Sequence, residues 1–149
     1  MRIVATNKKA YHDFEIIEKL EAGIVLEGSE VKAIRESRVN LKDSFVKIIK
    51  QEPFIFGMHI SYSSSANPHF RPDEKRPRKL LLNKKEINKL IGKISEKGYT
   101  IVPLKLYFNN KNLVKLEIAL AKGKTLHDKR EAIKRKIMDR EARAAMKNY

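Results

Sequence analysis

The sequence predicts a mainly β fold, a closed antiparallel barrel with two to three helices and a basic C-terminal tail. Short β-branched and aromatic runs recur along the chain and are separated by turn-forming residues. One clear helical stripe lies among them, and cationic residues accumulate near the C-terminal end. Closure into a barrel would remove the exposed edges that short strands otherwise leave. A two-sheet sandwich is also compatible with this strand pattern.

The first predicted elements are a long strand and a short helix. Residues 14–26 contain many apolar side chains without a helical stripe, and Gly23 would weaken a helix there. We therefore expect a long, bent strand. Ser29 is a residue type that caps helices well, so the sequence predicts a short helix over residues 30–36.

A hairpin and a long loop are predicted next. Residues 44–49 and 54–60 are rich in β-branched and aromatic side chains and flank a short turn, which indicates two antiparallel strands. Residues 61–78 contain three prolines and no apolar period. We expect a surface loop there, and a loop of this length in a compact domain usually has a function or is disordered.

The best helix of the core begins at Asn83. Asn83 and Glu86 have the spacing of a capping box, an apolar stripe with helical period follows, and Gly98 is a typical helix end. Residues 100–108 and 113–120 then predict a second hairpin, because the four residues between them include three asparagines.

The charge of the chain indicates a polyanionic partner. The 149 residues contain 33 Lys and Arg against 18 Asp and Glu, a net charge of +15. From Lys122 onward there are ten Lys and Arg against four Asp and Glu. Such an excess opposes compaction and attracts phosphate, so nucleic acid is the expected partner and an oligonucleotide-binding barrel the leading fold. The expected domains are a barrel over residues 1–122 and a basic tail over 123–149.

Several other classes are disfavoured. The chain has no cysteine for disulfides or thiolate metal sites, and its histidines lack metal-ligand spacing, so neither a metal nor a cofactor is expected. No membrane partner is expected, because no continuous apolar segment approaches the length of about 20 residues that a membrane-spanning helix needs. No signal peptide is recognised in the first residues, which predicts a cytoplasmic protein.

Two weak motifs suggest catalysis without establishing it. Gly123, Lys124 and Thr125 match the end of a phosphate-binding loop, but the motif requires glycine where Ile118 stands. Asp13, Glu30 and Lys32 could serve a metal-dependent nuclease, although such a set is common by chance. In the alternative interpretation, Glu30 and Lys32 are ordinary solvated residues of a short helix. The chain is therefore predicted not to be an enzyme.

Two basic segments carry features of RNA recognition. Residues 7–13 combine cations, an amide, an aromatic ring and an imidazole. Cations fix phosphates, while planar side chains stack on unpaired bases. Residues 71–79 add a second cluster before the core helix, and its alternative role is a solubilising loop. His12 and His127 adjoin basic residues and could stack on a base, or could simply be exposed.

Five segments, taken in order, resemble the SmpB family of SsrA-binding proteins: residues 7–13, 21–24, 26–32, 78–83 and 121–130. This resemblance covers nearly the whole chain. It implies an oligonucleotide-binding barrel that binds the tRNA-like domain of transfer-messenger RNA and delivers it to stalled bacterial ribosomes for trans-translation. It also implies that the protein is not an enzyme, and we expect a monomer.

The resemblance implies two sets of functional residues. Its RNA contacts are Asn7, Lys8, Lys9, His12, Glu21, Lys32, Arg78, Lys79, Leu81 and Asn83. The residues that it directs to the small-subunit decoding centre and messenger channel are Lys124, His127, Asp128, Lys129, Arg130 and Ile137. An acidic RNA contact is plausible, because a carboxylate accepts hydrogen bonds from a 2′-hydroxyl or a base amine.

The tail is expected to fold only on its target. If residues 128–147 are helical, their apolar stripe is narrow and would not hold them to the barrel. Isolated helices of this length are marginal in water, so we expect disorder in the free protein and a helix on the ribosome. The alternative function is a general single-stranded RNA-binding or ribosome-associated protein, whose selectivity should depend little on Glu21 or Asn83.

Overall fold

The computed structural model describes residues 1–62, 72–124 and 129–147, with side chains except those of residues 129–134. Within these residues the strands are β1 (Arg2–Thr6), β2 (Phe14–Ile24), β3 (Val39–Asn40), β4 (Phe45–Ile49), β5 (Glu52–Phe56), β6 (His59–Ile60), β7 (Arg78–Leu81), β8 (Thr100–Phe108) and β9 (Val114–Gly123). The helices are α1 (Lys8–Asp13), α2 (Gly28–Arg35), α3 (Lys84–Lys97) and α4 (Lys129–Lys147). The predicted mainly β class is confirmed.

The larger sheet is antiparallel and contains seven strands in the order β1-β8-β4-β5-β7-β2-β9, with a further pairing between β8 and β9. Hydrogen-bonded neighbours can thus be followed from β8 through β4, β5, β7, β2 and β9 back to β8. β3 and β6 form a separate pair. The hydrophobic core lies between these strands and α2 and α3, around residues such as Ile34, Met58 and Leu90.

Several predicted elements are confirmed with shifted ends. The long strand is β2 and the second hairpin is β8–β9. α3 begins with the predicted capping box of Asn83 and Glu86, and it ends at Gly98 in the left-handed conformation. α2 is capped by a box of Glu27 and Glu30, so the cap predicted at Ser29 is wrong.

Other elements were not predicted from the sequence. The predicted strand 54–60 is interrupted at Gly57, whose φ of +78° and contact with the Asp43 carbonyl favour glycine, and only its first part pairs with β4. Residues 63–71 of the predicted loop 61–78 lie outside the described residues, and its last residue, Arg78, begins β7, which joins β5 to β2. β1 and α1 were also missed, because each is short and is held mainly by tertiary contacts.

The tail contacts the sheet through α4. Lys47 Nζ lies 2.7 Å from Asp139 Oδ1, and the Ala142 side chain is buried, whereas Ile137 is 44% exposed. Two grooves of about 500 and 270 Å³ flank α4 where it meets the sheet. Among the described side chains of α4, the contact thus includes Asp139 and Ala142, and the two grooves leave it incompletely packed. Disorder of the tail in the free protein stays a prediction.

Candidate nucleic-acid interface

Four strands bring distant residues onto one outer face of the sheet. Glu21 pairs with Glu117 across β2 and β9, and Gly23 pairs with Lys115 on β9 and with Leu81 on β7. Paired residues, and residues two apart on one strand, point to the same face. Glu21 and Leu81, which are far apart in the sequence, therefore become close neighbours on this face.

Glu21 is held by a tyrosine that the sequence analysis did not identify. The Tyr107 hydroxyl donates a hydrogen bond to Glu21 Oε2. The Tyr107 side chain is almost completely buried, and burial, the bond to Glu21 and the charges of Glu21 and Glu117 raise its pKa above the ordinary value. Tyr107 thus remains a neutral donor and fixes the orientation of the carboxylate. Only the register of β8 and β9 against β2 reveals this pair.

Leu81 presents an apolar surface beside this carboxylate. As a residue, Leu81 is 53% exposed. A Cβ added at Gly23 would lie 3.2 Å from the Leu81 Cβ, which is a tight contact, so glycine leaves room for Leu81 to lie across β2. The face therefore places a fixed acceptor next to an exposed apolar side chain, an arrangement suited to a ribose or a base edge.

Tyr11 and two lysines extend the same face. The ammonium groups of Lys19 and Lys105 each lie 5.9 Å from the centre of the Tyr11 ring, within cation–π range. Lys19 Nζ also lies 3.9 Å from Glu117 Oε1. Lys105 pairs with Glu117 across β8 and β9, which connects this cluster to Glu21. Cations beside aromatic rings provide phosphate attraction together with a stacking surface.

The two predicted asparagines shape the loops at the start of helices. Asn7 Oδ1 accepts from the Ala10 N–H at 3.4 Å, and Asn7 Nδ2 donates to the Pro103 carbonyl at 2.9 Å. Asn83 Oδ1 accepts from the Glu86 N–H at 2.8 Å. Both side chains thus position α1 and α3, and their direct contact with RNA stays a prediction.

Arg78 is buried, so the surface contact predicted for it is wrong. The side chains of Arg78 and Glu30 are both fully buried, and Arg78 Nε donates to Glu30 Oε2 at 2.6 Å. Arg78 also donates to the carbonyls of Met58 and Glu74, at 2.8 and 3.1 Å. The Arg78 guanidinium group forms all of these hydrogen bonds inside the protein. Its role is to anchor the start of β7, the strand that carries Leu81.

Glu30 is likewise not the solvated residue of the alternative interpretation. Arg76 binds both oxygens of its carboxylate, at 2.6 and 3.1 Å. Burial raises the pKa of Glu30, but the hydrogen bonds from Arg76, the Glu27 backbone and Arg78, together with the charge of Arg78, outweigh it and hold the pKa below its ordinary value. Because two arginines occupy this carboxylate, it does not form the nuclease site considered with Asp13.

The remaining predicted cations lie at the surface. Lys8 and Lys32 are exposed, Lys9 Nζ lies 4.0 Å from an Asp43 oxygen, and Lys79 Nζ lies 3.2 Å from a Glu52 oxygen. The His12 ring is also exposed, with Nδ1 at 2.9 Å from Asp13 Oδ1. Exposed ion pairs are weak and exchange readily for phosphate.

The tail begins next to α1. Lys124 Nζ donates to the Tyr11 carbonyl at 3.1 Å, and the Lys124 N–H donates to the Asp13 carbonyl at 3.1 Å. His127 and Asp128 lie outside the described residues, and for Lys129 and Arg130 only the backbone, within α4, is described. Ile137 borders the groove between α4 and α1.

Neither a cluster of metal ligands nor a membrane-spanning helix is found among the described residues. Among residues 1–62, 72–124 and 129–147 no three His, Asp or Glu side chains are grouped as metal ligands. No helix in these stretches is both long and apolar enough to cross a bilayer.

Comparison with known proteins identifies the family. The model of the SmpB protein family matches residues 4–148. The chain belongs to the SmpB family. The SsrA-binding protein of a Nitratiruptor species is 81% identical over 149 residues, which cover 100% of this chain and 99% of that protein. The SsrA-binding protein of Wolinella succinogenes is 62% identical, covering 99% and 98%.

A solved structure also resembles this chain. It belongs to the work "tmRNA-SmpB: a journey to the center of the bacterial ribosome" and superposes with a TM-score of 0.68 at 40% identity. The match covers 83% of this chain and 86% of that one. The family resemblance inferred from the sequence motifs is confirmed.

Proposed function

We propose that this protein binds the tRNA-like domain of transfer-messenger RNA and delivers it to stalled ribosomes for trans-translation. The proposal is supported by SmpB family membership, by relatives named SsrA-binding protein and by the similar tmRNA-SmpB structure. The geometric observation that carries it is the oriented Glu21 carboxylate beside exposed Leu81, on a face that also bears Lys19, Lys105 and Lys115.

Each part of this face has a chemical role in the proposal. Glu21 accepts a hydrogen bond from a base amine or a ribose hydroxyl, while Tyr107 keeps it oriented. Leu81 packs against the same nucleotide and excludes water. The lysines contribute affinity through phosphate, and this term falls as salt concentration rises. Selectivity thus comes from Glu21 and Leu81, whereas most of the salt-dependent affinity comes from the cations.

The fold and the tail serve separate steps in this proposal. The ring of pairings through β8 and β9 supports a closed oligonucleotide-binding barrel over residues 1–122. The tail, residues 123–149, acts in the decoding centre and messenger channel through Lys124, residues 127–130 and Ile137. We infer that α4 leaves the barrel on the ribosome, and the partly exposed Lys47–Asp139 pair contributes at most about 1 kcal/mol to the contact that would have to break. The protein acts as a cytoplasmic, non-enzymatic monomer.

The test compares two RNAs of equal length, the tRNA-like domain of transfer-messenger RNA and an ordinary tRNA. The wild-type protein should bind the tRNA-like domain at least tenfold more tightly at the same salt concentration. Glu21→Gln should reduce this preference, whereas Glu18→Gln is a matched control, because Glu18 lies on the same strand and pairs with Lys89 instead. Equal binding of both RNAs by the wild-type protein would contradict the proposal and favour a general RNA-binding protein.

A further inference from the structure

A cationic cleft lies at the end of the β8–β9 hairpin, away from the Glu21 face. It has a volume of about 560 Å³ and is lined by Arg2, Arg35, Phe108 and asparagines of the hairpin turn. Arg2 lies on β1, Arg35 ends α2 and Phe108 ends β8. Three elements that are distant in the sequence thus contribute to one concave surface. Among the residues that the structure describes, no Asp or Glu lines it.

The two arginines are held close to one aromatic ring. The Cζ atoms of Arg2 and Arg35 lie 5.8 and 6.0 Å from the centre of the Phe108 ring, whose side chain is buried. Arg2 Nη2 also donates to the Arg35 carbonyl at 2.8 Å. Two cations near one ring repel each other, and neither forms an ion pair with another described residue. An anion between them would relieve this repulsion.

The chemistry of the cleft fits a phosphodiester. Guanidinium groups bind phosphate with paired hydrogen bonds, and their planes stack on bases as well. The turn asparagines add amide donors and acceptors suited to ribose and base edges. Asn109 is committed to the turn itself, since its Oδ1 accepts from the N–H groups of Lys111 and Leu113 at 2.9 and 3.0 Å. The turn is thereby a fixed wall of the cleft.

The cleft and the candidate interface both border the end of β8. Phe108 directly follows Tyr107, the residue that orients Glu21, so the two sites lie at the same end of this strand but on opposite faces of the sheet. We propose that the Arg2–Arg35 cleft is a second RNA site, which binds the phosphodiester backbone of a strand that continues beyond the Glu21 face. This inference deepens the proposed function and rests on it for the identity of the RNA. The backbone belongs either to the tRNA-like domain or to ribosomal RNA.

The test measures how affinity depends on salt for the full-length protein. Each lost phosphate contact removes about 0.7 to 0.9 from the slope of log affinity against log salt, so Arg2→Gln/Arg35→Gln should lower the slope by about 1.4 to 1.8. If affinities converge at 1 M salt, this change corresponds to about 25- to 60-fold weaker binding at 0.1 M. Arg38→Gln is the matched control, because Arg38 is exposed and pairs with Glu36 at 3.0 Å.

Two binding targets distinguish the source of the phosphate. A lower slope with the isolated tRNA-like domain assigns the cleft to transfer-messenger RNA, and a lower slope only with small ribosomal subunits assigns it to ribosomal RNA. Unchanged slopes with both targets overturn the proposal. If the wild-type protein fails to prefer the tRNA-like domain over tRNA, the proposed function fails separately, and the slopes still report on the cleft.

A charge-preserving variant separates phosphate binding from altered folding. Arg2→Lys/Arg35→Lys keeps both positive charges but loses the planar fork, so its slope should stay within about 0.3 of wild type. Urea unfolding of all variants identifies any loss of stability. An equal fall in slope for the lysine and glutamine double variants would also overturn the proposal, because charge would then not be the cause.

Discussion

Tyr107→Phe tests whether the orientation of Glu21 matters for RNA binding. The change removes one hydroxyl and keeps a ring that is 5% exposed, so packing is preserved. The lost bond joins a neutral donor to a carboxylate. Such bonds contribute about 1.5 to 3 kcal/mol, and solvent at Glu21 reduces this to about 1 to 2 kcal/mol. We therefore expect about 5- to 30-fold weaker binding of the tRNA-like domain, at 1.4 kcal/mol per tenfold change.

The assay is a titration of labelled tRNA-like RNA followed by fluorescence anisotropy, with Tyr107→Phe, Glu21→Gln and the double variant compared at one salt concentration. If Tyr107 acts through Glu21, the double variant should bind no more weakly than Glu21→Gln alone. Tyr99→Phe is a control for removal of a tyrosine hydroxyl elsewhere. Unchanged affinity of Tyr107→Phe, or fully additive effects in the double variant, would refute the positioning role.

Three further predictions concern the buried Glu30, the C-terminal tail, and the lysines at positions 8 and 9. Glu30→Gln should destabilise the fold by about 3 to 5 kcal/mol in urea unfolding, because Arg78 would remain buried with its charge uncompensated. Since the folded-state pKa of Glu30 lies below its unfolded value, this stabilisation is complete above the unfolded pKa near 4.3 and is lost as pH falls through the folded pKa. Truncation after Lys124 should keep most affinity for the tRNA-like domain but abolish peptide tagging on stalled ribosomes. Lys8→Gln/Lys9→Gln should lower the salt slope by about 1.4 to 1.8.

Each of these predictions has an outcome that contradicts it. For Glu30, which pairs with buried Arg78, the contradicting outcome is that the Glu30→Gln variant shows the wild-type acid-unfolding profile. Glu36→Gln is the control, because the Glu36–Arg38 pair is exposed. For the tail, it is tagging at the wild-type rate by the truncated protein, which would reduce the tail to a solubilising extension. For Lys8 and Lys9, it is an unchanged salt slope.

Elements with strong local signals could be predicted from the sequence. The capping box and the glycine end defined α3, and two apolar runs on either side of an asparagine-rich turn defined the β8–β9 hairpin. Elements that depend on distant partners could not be predicted. β1 is held by its pairing with β8, and β7 by its position between β5 and β2, so neither has a local pattern long enough to identify it.

The residues of the candidate site also fall into those that the sequence could identify and those that only the tertiary structure reveals. Motifs identified Glu21, Leu81 and the exposed lysines without showing why they belong together. Tyr107 was missed because its link to Glu21 exists only through the register of β8, β9 and β2. Arg78 was misassigned because it lies in a basic cluster, where only burial against Glu30 distinguishes a structural arginine from an RNA-binding one.

By itself, the sequence determined the mainly β class, the need for an anionic partner and, through its ordered motifs, the family. These properties follow from composition and from patterns within short segments, which the chain carries before it folds. Only the tertiary structure decided which charges face solvent, which carboxylate is oriented, and that Arg2 and Arg35 meet at Phe108. Burial and strand register set these features, because both depend on residues that are far apart along the chain.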